Sequence, residues 1–86
     1  MGNVAITFRL MPEDPSTDLR TIKDRVQKAL GTSLKGMQEK DVAFGLRALL
    51  ALAVVPDEAG ASDRIEQALS GIPGVSSVEA IDLTLV

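Results

Sequence analysis

Arg47-Ala48-Leu49-Leu50-Ala51-Leu52-Ala53-Val54-Val55-Pro56 decides the architecture of this chain, because it can be read in two ways. Apart from Arg47 it is apolar throughout, so periodicity does not separate a helix from a strand buried on both faces. Its Ala and Leu content favours helix. Gly45 just before the run and the Val54-Val55-Pro56 ending favour a strand.

The residues beyond it settle the choice. Val54-Val55-Pro56-Asp57-Glu58 answers Leu10-Met11-Pro12-Glu13-Asp14, and Ser62-Asp63 answers Thr17-Asp18, each opening an amphipathic helix. In the earlier copy the strand is unambiguous: Val4, Ile6, Phe8 and Leu10 alternate with Ala5, Thr7, Arg9 and Met11, the period of two of a half-buried strand, and Pro12 stops it. An internal repeat predicts the same element at the same place, so Arg47 to Val55 reads as a strand.

Working outward, Leu19, Ile22, Val26, Ala29 and Leu30 recur at helical spacing after a Thr17-Asp18 start, and Gly31 is placed to end that helix. Ser33 to Asp41 is polar apart from Leu34 and Met37, which predicts an exposed, twisted or edge strand. The second helix turns Ile65, Leu69 and Ile72 inward, and Ile72-Pro73-Gly74-Val75 leads into a last strand. The shift of alternation between Ala80 and Ile81 predicts a bulge there.

The order is βαββαβ. Right-handed crossovers then place both helices on one face of a four-stranded antiparallel sheet, an α+β, ferredoxin-like sandwich. At 86 residues the chain is expected to be a single domain over 1–86.

Composition narrows the chemistry. There is no Cys and no His, which excludes disulfides, thiolate nucleophiles, imidazole metal sites and Ser-His or Cys-His catalysis. Twelve acidic residues against nine scattered basic ones give a net charge of −3, so no phosphate-tracking patch is written and direct nucleic-acid binding is not expected. No apolar run reaches the length of a membrane span and no signal peptide is evident, so a cytoplasmic protein without membrane attachment is expected.

Few residues invite a functional reading. Glu13-Asp14 and Asp57-Glu58 could hold a hard cation, but their spacing fits solvated loops feeding helix N-termini better. Gly71-Ile72-Pro73-Gly74 lacks the Lys and hydroxyl of a phosphate loop and reads as a helix stop. No cofactor is expected. Phe44, between Glu39-Lys40-Asp41 and Gly45, falls at the connection of strands two and three; composition alone leaves it equally a core residue or an exposed anchor. The sheet face turned away from the helices, with Ala5, Thr7 and an alternate set from Leu49, Ala51 and Ala53, is expected to be smooth and weakly polar, either a docking surface or simply a small-residue face.

Asp41-Val42-Ala43-Phe44-Gly45-Leu46-Arg47-Ala48-Leu49 and Val54-Val55-Pro56-Asp57-Glu58-Ala59-Gly60-Ala61-Ser62-Asp63 resemble the archaeal form of translation elongation factor 1-beta. Met11-Pro12-Glu13 and Thr17-Asp18-Leu19 fit the same pattern, and the resemblance covers essentially the whole chain. It implies a guanine-nucleotide exchange factor whose partner is the elongation factor 1-alpha GTPase, acting without covalent chemistry and hence not an enzyme in the usual sense. It also implies an aromatic at the tip between strands two and three, matched here by Phe44, with Val42, Ala43, Gly45 and Leu46 shaping that tip. Eukaryotic members add a lysine near the C-terminus; here Arg64 is the last basic residue, so that role has no counterpart. A monomer is compatible with this reading. The rival from another class is a ferredoxin-like regulatory module that dimerises through its sheet and binds a small metabolite; only the first would accelerate GDP release.

Overall fold

The structure, a computed structural model, describes residues 2–42 and 45–86. Their elements follow the order β1 (Asn3–Pro12), α1 (Leu19–Leu30), a short 3₁₀ turn (Gly31–Ser33), β2 (Leu34–Asp41), β3 (Arg47–Pro56), α2 (Ala61–Ser70) and β4 (Val75–Leu85). The strands form one sheet ordered β2-β3-β1-β4, and each neighbouring pair is antiparallel. This is the ferredoxin-like arrangement, and the ambiguous apolar run is a central strand, as its repeat predicts.

β3 is apolar on both faces although the helices cover only one of them. Register places Val4, Ile6, Phe8 and Leu10 opposite Val55, Ala53, Ala51 and Leu49, and this shared face carries the core under the two helices. Phe8 is fully buried against the small Ala51 on one side, with Ala80 opposite it on β4. One large ring between two alanines fills the middle of the sheet without overpacking. Ile22, Val26 and Leu30 of α1 and Leu69 of α2 complete the core, joined by Ile72 just beyond α2.

The alternate face requires a correction. Leu49, Ala51 and Ala53 point to the helices, so the residues of β3 turned away are Ala48, Leu50, Leu52 and Val54. They neighbour Ala5, Thr7 and Arg9 of β1, so the uncovered face is more apolar than expected. The small residues of β3 lie inward because the helix side must accommodate Phe8 and the branched residues of β1.

Helix starts differ between the halves. Asp18 caps α1 by accepting from the Arg20 N–H at 2.9 Å, and Gly31, at φ +57°, ends it. The second helix does not use Ser62 as a cap; it begins at Ala61 behind Gly60, whose φ is +81°. Starting earlier buries Ala61 in the core, which a Ser62 cap would have left outside the helix.

Both edge strands are irregular. On β2 the register slips between Leu34 and Gly36. On β4 it slips opposite Thr7/Phe8, leaving Ile81 as the extra residue between Ala80 and Asp82, where the alternation predicts a bulge, and again opposite Met11/Pro12. At one pole lie the β1–α1 loop, the β2–β3 hairpin and the α2–β4 turn, joined by the Glu13 N–H donating to the Gly74 carbonyl at 3.0 Å. At the other, Asn3 and Val86 exchange backbone hydrogen bonds of 3.3 and 2.9 Å, and the Asp57 N–H donates to the Gly2 carbonyl at 3.0 Å.

Candidate partner-binding site

The β2–β3 hairpin closes through the Val42 N–H, which donates to the Leu46 carbonyl at 2.8 Å. Val42 is 41% exposed, an apolar side chain in solvent at the tip. Gly45 is exposed and holds φ +75°, a backbone state that an L side chain adopts only at a cost. Leu46 is half-buried where the tip joins β3. Ala43 and Phe44 lie outside the described residues.

Charged residues brace the base of the tip. Arg47 Nη1 reaches Glu39 Oε1 at 3.3 Å across the two strands, and its Nε reaches Asp41 Oδ1 at 3.1 Å. Lys23 of α1 bonds the other oxygen of Glu39, tying the helix to the hairpin. The Lys23 hydrogen bond is the main reason the Glu39 carboxyl is held below its ordinary value, Arg47 adding to the effect. Such part-exposed pairs contribute little stability individually. Two cations, one from α1 and one from β3, meet on this one carboxylate at the base of the hairpin.

Beside this base is an open cleft of about 420 Å³, lined among others by Asp14, Asp18, Arg20, Glu39, Gly45 and Arg47. Its rim is set by the β1–α1 loop, where Asp14 Oδ1 accepts from the Ser16 N–H at 2.9 Å and from the Ser16 hydroxyl. Those bonds lower the Asp14 carboxyl below its ordinary value, the hydroxyl contributing most. Asp14 is therefore occupied in shaping its own loop, and among the described residues no cluster of three or more carboxylates is disposed to hold a metal ion. Glu39 and Arg47 are paired, and with Asp14, Asp18 and Arg20 they are open to water, an arrangement that suits recognition of a charged surface rather than proton transfer.

The topology thus gathers at one pole Val42, Gly45 and Leu46, which the sequence suggests, and a charged cleft that it does not. Arg47 was the only signal: a cation interrupting an otherwise apolar run, with two acids a few residues earlier on the neighbouring strand.

Residues 5–86 match the model of the EF-1 guanine nucleotide exchange domain. The chain belongs to this family. Relatives named elongation factor 1-beta support the assignment: one from Methanoculleus marisnigri is 48% identical over 86 residues, all of both chains. Another, from Natronomonas pharaonis, is 43% identical over 81 residues, covering 92% of each. Among solved structures, the ACT domain from a GTP pyrophosphokinase of Chlorobium tepidum superposes with a TM-score of 0.62 at 15% identity, covering 92% of this chain and 99% of that one. At that identity the likeness concerns the fold alone. Among the described residues no helix is long and apolar enough to cross a membrane.

Proposed function

We propose that this member of the exchange family is a guanine-nucleotide exchange factor for the elongation factor 1-alpha GTPase, and that the β2–β3 tip is what it inserts. The observation that carries the reading is the tip itself: Val42 exposed, Gly45 in a left-handed turn, and the whole hairpin braced from below by Glu39, Arg47 and Lys23. Phe44 is the anchor in this proposal, with Ala43 and Leu46 completing the apolar surface that meets the partner.

Exchange needs no reactive side chain. A protein that binds the nucleotide-free GTPase more tightly than the GDP-bound form must, by linkage, weaken GDP by the same factor. The charged cleft beside the tip contributes orientation: charges of both signs at one pole favour one docking pose over others. No basic residue follows Arg64, so no cation of β4 acts at the nucleotide site; loosening of GDP falls either to deformation by the inserted tip or to a cation from elsewhere in the chain.

The test is release of a fluorescent GDP analogue from the cognate GTPase on adding this protein. Acceleration is expected, and Phe44→Ala should slow it tenfold or more, which corresponds to about 1.4 kcal/mol, while leaving the melting temperature close to the parent value. No acceleration by the parent protein would overturn the exchange reading. A Phe44→Ala protein that exchanges normally would overturn the assignment of the anchor alone.

A further inference from the structure

The basic residues are scattered along the sequence, but the fold sorts them. Seven of the nine fall between Leu19 and Arg47, against three acidic residues in the same span, and that span is α1, β2 and the start of β3. β2 is one edge of the sheet, and Lys23 ties α1 to it through Glu39. The other edge is β4, with α2 packed on it. That side, with the loop before α2, holds Asp57, Glu58, Asp63, Glu66, Glu79 and Asp82, and Arg64 as its single cation. Three strand spacings of about 4.8 Å set the two edges about 14 Å apart, more than the Debye length of about 8 Å at physiological salt. Each edge therefore presents its own charge to a partner, whatever the net −3 of the whole chain.

On the basic edge Lys23 and Arg47 are already engaged by Glu39 and Asp41. Arg20, Lys35 and Lys40 are exposed and, among the described residues, make no ion pair. These three follow the edge away from the tip. Arg20 lines the cleft at the tip's base, Lys40 comes two residues before Val42, and Lys35 stands about 17 Å further along the strand. At Lys35 the register slips, and a hollow of about 350 Å³ opens between α1 and β2, with Leu34 and Met37 at its floor and Lys23, Gln27 and Lys35 around it. Lysines and a bulge on an edge strand also keep it from pairing with another sheet. That protective role requires neither a hollow nor continuity with the tip.

We propose that this α1/β2 edge is a second docking surface for the GTPase that receives the tip, a proposal that rests on the exchange reading, and that it takes an acidic segment of that protein. Carboxylates of the segment meet Arg20, Lys35 and Lys40, and an apolar side chain enters the hollow over Leu34 and Met37. The acidic β4/α2 edge lies on the far side of the sheet from this contact. The separation of charge orients the protein on approach, basic edge and tip first. A nucleic acid fits the same edge less well. Its phosphates would meet the Glu39 and Asp41 carboxylates beside the cations, and among the described residues no aromatic is exposed there to stack a base, Phe8 being fully buried.

The test is release of the fluorescent GDP analogue followed against the concentration of this protein, at salt from about 0.05 to about 0.5 M. For the parent, the half-saturating concentration should rise about tenfold across that range while the plateau rate holds. Lys35→Glu and, independently, Lys40→Glu should each raise the half-saturating concentration about fivefold at low salt and flatten its salt dependence, with plateau rate and circular-dichroism spectrum unchanged. Lys35→Gln should fall between Lys35→Glu and the parent. Arg64→Glu makes the same change of charge on α2 and should stay within about twofold of the parent.

A parent that does not accelerate release at all would remove the exchange reading and this edge with it. A parent that accelerates release, with both lysine variants matching it at every salt concentration, would overturn the docking edge alone. Equal weakening by Arg64→Glu would also overturn it, since net charge and not the edge would then be responsible. So would retention of the parent on immobilised poly(U) that Lys35→Glu loses while its exchange is unchanged, which would assign the edge to a nucleic acid.

Discussion

Gly45 and Gly60 form a matched pair that separates stability from function at the tip. Both hold left-handed backbone, φ +75° and +81°, and among the described residues a Cβ added at either would meet no atom within 4 Å. Substitution by Ala therefore carries the conformational cost alone, about 1–2 kcal/mol at each site. For 86 residues the total stability is roughly 4–13 kcal/mol, so both variants should remain folded. Each kcal/mol corresponds to a loss of about 4–8 °C in Tm for a domain of this size. The positions differ in place: Gly45 is in the β2–β3 hairpin, and Gly60 precedes α2 at the opposite pole. The expected outcome is a similar loss of stability by urea denaturation in both, with slowed GDP release only for Gly45→Ala. Asn tolerates the left-handed region, so Gly45→Asn should recover part of both losses. If Gly60→Ala slows exchange as much as Gly45→Ala, or if neither affects it, the assignment of the tip is refuted.

Phe8→Ala should cost about 3–5 kcal/mol in urea unfolding, because the ring is fully buried between Ala51 and Ala80 and neither can expand into the space. Removal of the α1 cap by Asp18→Ala should lower stability by about 1 kcal/mol, measurable as a shifted urea midpoint with an unchanged m-value. Glu39 has a carboxyl held below its ordinary value of 4.5, so its contribution is present above that pH and is lost as pH falls through the lower, folded-state value. The stability difference between parent and Glu39→Gln should accordingly be constant near neutrality and shrink on acidification below about 4.5; a difference independent of pH would argue against the Lys23 bond as its source.

Much of the fold is legible in the residues. The alternation of Val4 to Leu10 needs no context, and the repeat of a Pro-acid-acid ending transfers that certainty to Arg47–Pro56, where propensity points the wrong way. The bulge at Ile81 is visible because a shift in a two-residue period has one physical meaning. The side of β3 that faces the helices is not legible, since a strand apolar on both faces carries no phase; only its pairing with Phe8 fixes it. Nor is the Ala61 start of α2, where core burial prevails over a side-chain cap. At the candidate site the hairpin tip is legible by order along the chain. The cleft is not, because Asp14, Glu39 and Arg47 come from three separate segments and meet only through the sheet order.

The ladder between Asn3 and Val86 places the first and last described strands' ends side by side, at the pole away from the hairpin. Any extension of the chain, fused at either end, therefore emerges from the same point and trails behind the surface assigned to the partner. The two ends could also be spliced by a few flexible residues and the chain reopened between Asp57 and Gly60. That would give a permuted protein with its sheet, core and hairpin in their original places, in which the order of synthesis changes and the working surface does not.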